Sequence, residues 1–179
     1  MLLISVMDIE KKQQHSHAHN LLRECLKKYG ISYDENTPVI KGEMGKPSLA
    51  EHPEIFYNLS HANGIAACYV TDMECGIDCE KVRQYYPNVV KKAFSESERQ
   101  LMEDTPENER DLMFFRLWTL KESFVKTIGT GVSYPLASVS FSFIRNKIIC
   151  NKEDFLFRQY IVQDEKYVVT ICKKKKSTI

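Results

Sequence analysis

Asp78 and Glu80 stand two residues apart in the stretch GIDCE. On a strand this spacing puts both carboxylates on one face and Ile77 and Cys79 on the other. Like charges so close repel unless a cation lies between them. Mg2+ suits the place, because it prefers hard oxygen ligands, needs few carboxylates and leaves positions for water and a substrate phosphate. Taken alone, the pair reads more plainly as a solvated acidic strand face. A second acid and a base recur in RLWTLKESFVKTIGTG, residues 116–131. On a helical wheel of about 100 degrees per residue, Met113, Leu117, Leu120, Phe124 and Ile128 fall in one arc, with Glu122 and Lys126 opposite. In isolation, a Glu followed by a Lys at this spacing is a surface pair worth roughly 0.2 to 0.5 kcal/mol.

Lys46 and Pro47 sit in a turn-like MGKP, and Ser60 and His61 end the strand-like NLSH. No GxSxG elbow accompanies the adjacent Ser and His, so a serine hydrolase is a poor reading. As donors to phosphate oxygens, Lys46, Ser60 and His61 make better sense. In HSHAH, His15 and His19 share a helical face without His17, and no acid completes a metal site; these read as a helix start with incidental histidines.

The elements that must position these groups follow from periodicity. LLISV is a strand, and HNLLRECLKKYG places Leu21, Leu22, Cys25 and Leu26 on one helical face before a glycine stop. IFYNLSH and GIAACYV form a hairpin about Ala62, Asn63 and Gly64. MECGIDCEKV is a further strand, and PNVVKKAFSESERQLM reads as helix, turn, helix with Ser95 as cap. A long helix spans about residues 109–128. ASVSFSF, KIICN, FLFRQYIV and KYVVTICK are strand signals. Strand, helix and hairpin thus appear in both halves, with a candidate join near Thr71 to Cys75, and the expected fold class is α+β. The terminal KKKKSTI is expected as a frayed tail.

The 179 residues carry 25 Lys and Arg against 24 Asp and Glu. That balance argues against nucleic acid or membrane as the main partner. The six cysteines form no CxxC pair and read as reduced, structural thiols. The apolar MLLISV gives way to DIEKKQQ too soon for a signal-peptide core or a membrane span, so the expected location is cytoplasmic.

In order, GKP, NLSH, GIDCE, FSESE and WTLKESFVKTIGTG resemble the 4'-phosphopantetheinyl transferases of the Sfp type, from about Gly45 to Phe143. LWTLKES and GIDCE are close to that family's W-x-x-K-E-[AS] and G-I-D-x-E patterns. The small trimeric carrier synthases share the later motifs and lack GKP and NLSH. The resemblance implies transfer of the phosphopantetheine arm of coenzyme A to a serine of an apo acyl or peptidyl carrier protein, with release of 3',5'-ADP. It implies Asp78, Glu80 and Glu122 as Mg2+ ligands, and Lys126 as the diphosphate-binding lysine with help from Lys121. Lys46, Pro47, Ser60 and His61 are implied as nucleotide-phosphate contacts, and Glu98 as the base for the incoming serine. The two-lobed branch of the family implies two similar α/β lobes related by a pseudo-twofold with the active site in the cleft between them. Residues 1–73 would form the lobe with the nucleotide-phosphate contacts and 74–179 the lobe with the magnesium and diphosphate site, and a monomer is expected. Two departures stand out. GKP comes early in this chain, leaving Lys11, Lys12 or His15 as stand-ins for further basic residues, and Cys79 lies between the acids, where a branched aliphatic is common. Val89 to Phe94 are candidates for the carrier-binding surface. The competing readings are a Mg2+-dependent phosphodiesterase or nuclease, and a non-catalytic coenzyme A or carrier-binding module.

Overall fold

The computed structural model describes residues 1–7, 11–145 and 147–176. Strand β1 (Leu2–Val6) leads to helix α1 (Lys11–Lys27), which takes in the HSHAH read as a helix start and begins about one turn before it. A small hairpin, β2 (Val39–Lys41) and β3 (Pro47–Leu49), carries Lys46 in its turn. The hairpin predicted about Asn63 and Gly64 is β4 (Phe56–Ala62) and β5 (Ile65–Thr71), with Ala62 opposite Ile65. Such a two-residue connection needs a left-handed backbone, which Gly64 supplies at φ +83.

The second half repeats the plan. Strand β6 (Cys75–Lys81) is followed by α2 (Pro87–Ala93), α3 (Glu96–Asp104) and the long α4 (Arg110–Ile128). A small hairpin, β7 (Phe141–Ile144) and β8 (Lys147–Cys150), precedes β9 (Phe155–Val162) and β10 (Tyr167–Lys174). One three-stranded sheet has the order β1-β5-β4 and the other β6-β10-β9. In each, the last strand is central, flanked by the first strand and its hairpin partner. The fold is α+β, as expected, with a strand, helix and hairpin unit present twice.

Strand alternation sorts the core into layers. Ile65, Ala67 and Tyr69 of β5 pack with Cys75, Ile77 and Cys79 of β6 and with Val169 and Ile171 of β10, joining the two sheets. The alternate residues of β5, Cys68 and Val70, instead meet Leu22, Cys25 and Leu26 of α1. Val168 and Cys172 of β10 likewise turn outward to Leu117, Leu120 and Phe124 of α4. Gly76, Asp78 and Glu80 therefore share the face of β6 that looks toward α4.

Gly76 is what lets that helix come close. A Cβ there would stand 2.2 Å from the Ser123 carbonyl oxygen and 2.6 Å from the Thr127 backbone nitrogen. Both neighbours are backbone and cannot swing aside. Gly76→Ala is expected to destabilise the protein by about 3 kcal/mol, at the upper end for overpacking, measured by denaturant unfolding.

Helix α4 ends at Gly129 in a left-handed cap with φ +71. Its polar side is more enclosed than a surface face would be. Thr119, Lys121, Ser123 and Thr127 are all buried. Thr119 meets Thr170 at 2.7 Å, and Gln159 bridges Thr170 to Arg116. The lysine run expected as a tail is partly strand, since β10 extends to Lys174 and Lys176 pairs with Asp72 at 2.7 Å. Ser177, Thr178 and Ile179 lie outside the described residues. Every cysteine is a free thiol, and all but Cys150 are buried.

Candidate active site

Asp78 leaves β6 toward α4, and Lys126 leaves α4 toward β6. Their Oδ1 and Nζ atoms meet at 2.7 Å, with the Asp78 side chain 8% exposed and that of Lys126 29% exposed. Burial works against the Lys126 ammonium, but the Asp78 carboxylate outweighs it and holds the amine above the usual lysine range. Asp78 Oδ2 is buried and has no hydrogen-bond partner among the described residues. Glu122 lies one turn before Lys126, and its carboxyl is raised above the usual range by burial and then by Asp78 and Glu80. Glu80 is raised by burial and Asp78, against the pull of Arg83 at 3.0 Å. The three acids thus repel one another, which the spacing predicted for Asp78 and Glu80.

As folded, Lys126 and Arg83 answer part of that negative charge. Among the described residues, no group of three His, Cys, Asp or Glu side chains is already closed around a metal position. The donor set is nevertheless the kind a hard divalent cation takes: carboxylate oxygens, including an orphaned buried one.

Strand β4 meets β6 through side chains. Asn58 Oδ1 accepts from the Ile77 N–H at 2.8 Å, and Ser60 Oγ accepts from the Cys79 N–H at 3.1 Å. A buried strand edge must find partners for such donors. Asn58 and Ser60, on one face of β4, supply them and fix where Asp78 stands. The N-x-S spacing was the signal for this role, and it went unread. Arg83 was also missed. It pairs with Glu80 and stacks over the Phe115 ring at 4.8 Å.

Ser60 is corrected by this geometry. Its hydroxyl proton goes to Asp78 Oδ1 at 3.1 Å, while Lys126 Nζ and the Cys79 N–H donate to Ser60 Oγ. One donor and two acceptor positions are then filled, so Ser60 belongs with the acids and offers no free donor to phosphate. Lys46 and Pro47 do line the cleft. A cavity of about 500 Å³ has Lys46, Pro47 and Asn58 on one wall and Trp118, Glu122 and Lys126 on the other. Lys46 donates to the Thr127 carbonyl, and burial pulls its amine below the usual lysine range. His61 lies beyond β4 in a separate cavity with His15 and His19. The side chain of Lys11 lies outside the described residues.

Glu98 and Lys121 are the larger correction. Both are fully buried, and their Oε2 and Nζ atoms are 2.7 Å apart. Glu98 is the N3 residue of a capping box with Ser95 and also accepts from the Phe141 N–H at 2.9 Å. Lys121 donates to the Leu136 and Val139 carbonyls. Burial lowers the Lys121 amine, with Glu98 opposing. Each group is saturated by protein partners, so neither reaches the cleft as base or phosphate ligand. Phe94, expected near the carrier surface, is also in the core, stacked on Phe114 at 5.4 Å.

A family profile described as the 4'-phosphopantetheinyl transferase superfamily matches residues 74–172. A 4'-phosphopantetheinyl transferase of Bacillus subtilis is 32% identical over 136 residues, covering 73% of this chain and 60% of the relative. The 4'-phosphopantetheinyl transferase Sfp of Bacillus subtilis strain 168 is 35% identical over 98 residues, covering 55% of this chain and 44% of the relative. Among solved structures, a holo-(acyl-carrier-protein) synthase from Bacillus anthracis in complex with CoA (3',5'-ADP) overlaps 58% of this chain and 97% of its own, at TM-score 0.49 and 14% identity. The chain belongs to the 4'-phosphopantetheinyl transferase superfamily. It spans about half the length of the curated relatives it matches.

Proposed function

We propose that the protein transfers the 4'-phosphopantetheine arm of coenzyme A to a serine hydroxyl of an apo acyl or peptidyl carrier protein and releases 3',5'-ADP. The observation that carries this reading is the meeting of Lys126 with Asp78, beside Glu122 and at the edge of a cleft walled by Lys46 and Pro47. A diphosphate needs cations at its oxygens and a shaped, partly dry groove. The cleft has both.

Asp78, Glu80 and Glu122 would hold Mg2+, which when bound offsets charge on the diphosphate and on the departing nucleotide. Lys126 stays beside Asp78, which keeps it charged, and offers its ammonium to the diphosphate from there. Lys46 and Pro47 fix the nucleotide end against Gly129. The serine oxygen bonds to the β-phosphorus as the bond from that phosphorus to the bridging oxygen breaks. The electron pair leaves with 3',5'-ADP, and the serine proton passes to water in the open cleft, because Glu98 is closed off. Positioning and electrostatics supply the acceleration.

A single chain contributes both walls, which supports a monomer. Among the described residues, no helix is long and apolar enough to cross a membrane. The reading places the enzyme in the cytoplasm and gives it no nucleic-acid partner. Its test is chromatography of coenzyme A incubated with the protein. Release of 3',5'-ADP is expected only when Mg2+ and an apo carrier are both present. Phosphodiester cleavage without a carrier would replace this reading with a Mg2+-dependent phosphodiesterase.

A further inference from the structure

Asn58 is buried in β4, 8% exposed, and uses only half of its amide. Its Oδ1 accepts from the Ile77 N–H at 2.8 Å. Only the carbonyl end of an amide can take that proton, so the bond fixes which end is which. Nδ2 has no partner among the described residues, and it is not one of their enclosed orphaned atoms, which are Asp78 Oδ2 and Thr130 Oγ1. Its hydrogens therefore open on the space that Asn58 lines. Buried donors in folded proteins are paired with few exceptions, and a fixed one that opens on a cavity takes its acceptor from whatever fills the cavity.

That space is where two cavities meet. The cleft of about 500 Å³ with Glu122 and Lys126 and a cavity of about 490 Å³ on the α1 side of β4 share Gly45, Pro47 and Asn58. An elongated ligand that fills both must cross there. Of the three shared residues, only Asn58 has a polar side chain to offer it. Ser60, two residues on along the same face of β4, stands roughly 7 Å away. There Lys126 donates to the Ser60 hydroxyl at 3.1 Å and to Asp78 Oδ1 at 2.7 Å. This face of β4 thus brings a cation to one step of the strand and a neutral, fixed donor to the other. A diphosphate is long enough to take both.

We propose that Asn58 is a further catalytic residue, whose Nδ2 donates a hydrogen bond to the nucleotide-side phosphate of the diphosphate as the leaving group acquires charge. This rests on the phosphopantetheinyl-transfer reading. In that step the serine oxygen bonds to the β-phosphorus, the bond from that phosphorus to the bridging oxygen breaks, and the electron pair stays on 3',5'-ADP. Asn58 neither gives nor takes a proton. It stands on the Pro47 side of Lys126, where the nucleotide end lies, so its donor falls on the departing half. A hydrogen bond to an oxygen that grows more negative strengthens from ground state to transition state. An amide already held by β6 needs no reorganisation to make it.

The test sets Asn58→Asp beside Asn58→Ala. Asn58→Asp keeps an oxygen for the Ile77 N–H and loses the donor, whereas Asn58→Ala loses both. Rates of 3',5'-ADP release with Mg2+ and an apo carrier, calorimetric affinities for coenzyme A, and thermal melts are measured on each. Asn58→Asp is expected to melt near the parent with kcat down about 100-fold to 1,000-fold. Asn58→Ala is expected to melt lower and, below its melt and with no charge added, to lose more in kcat than in coenzyme A affinity. A purely structural Asn58 gives the opposite order, with the better-folded Asn58→Asp keeping its activity. Asn58→Asp within a few-fold of the parent in kcat overturns the proposal and leaves Asn58 as a brace for β6. Should Asn58→Asp not fold, Asn58→Ala decides alone, and losses in affinity that match or exceed those in kcat overturn the proposal. A parent protein that binds coenzyme A and releases no 3',5'-ADP with any carrier removes the transfer reading itself, and the assignment with it.

Discussion

Asp78→Asn and Glu122→Gln are each expected to lower phosphopantetheine transfer by at least about 100-fold to 1,000-fold, the range for removing one well-aimed electrostatic partner, while leaving the fold intact. Asp78 joins the β6 and α4 sides of the site, holding Lys126 at 2.7 Å and the Ser60 hydroxyl at 3.1 Å. The isosteric amide keeps the shape and most hydrogen bonds. It removes the negative charge that keeps Lys126 protonated and that a divalent cation needs. Glu122, raised by burial and by its acidic neighbours, is strained by repulsion in the metal-free protein. Its neutralisation therefore relieves the folded state while stripping the site of a ligand. Rates of 3',5'-ADP release, set beside thermal melts, separate the two effects. Activity within a few-fold of the parent, with an unchanged melt, would return these acids to an ordinary charged face.

The second large effect falls on stability. Glu98→Gln is expected to cost about 3 to 5 kcal/mol, the range for stranding a buried charge, because Lys121 would remain fully buried without its 2.7 Å partner. For a chain of this size, that corresponds to a Tm lower by roughly 10 °C. Adding Lys121→Met removes the stranded charge and should restore most of the loss. Turnover by the molecules that stay folded should remain near the parent value, since Glu98 faces Ser95 and Phe141 and not the cleft. An unchanged melt with turnover down about 100-fold, the contribution of a positioned base, would instead put Glu98 back in the reaction.

These two residues also mark where the sequence stops being legible. The β4 to β5 hairpin, the capping box at Ser95 and the glycine stop of α4 are local devices, and each was readable from a few neighbouring residues. The shared face of Asp78 and Glu80 followed from strand alternation alone. The partner of Glu98 did not, because Lys121 is distant in sequence and both residues read equally well as surface or catalytic groups. The enclosure of α4 was hidden for a similar reason. A helical wheel shows a polar arc but not whether threonines on a strand, such as Thr170, wait to meet it. Ser60 and the histidines depended on which edge of β4 faces β6 and which side α1 covers, and no periodicity reports that. The family motifs narrowed the chemistry to the cleft. Geometry then divided the motif residues into those that line it and those that hold it in place.

The most direct test of the central claim is the intact mass of an apo carrier protein after incubation with this protein, coenzyme A and Mg2+, across acyl and peptidyl carriers. At least one carrier is expected to gain the mass of a single phosphopantetheine arm, and the same carrier with its acceptor serine changed to alanine should gain nothing. No mass gain on any carrier, from protein shown by calorimetry to be folded and to bind coenzyme A, would contradict the assignment and leave a binding module in its place.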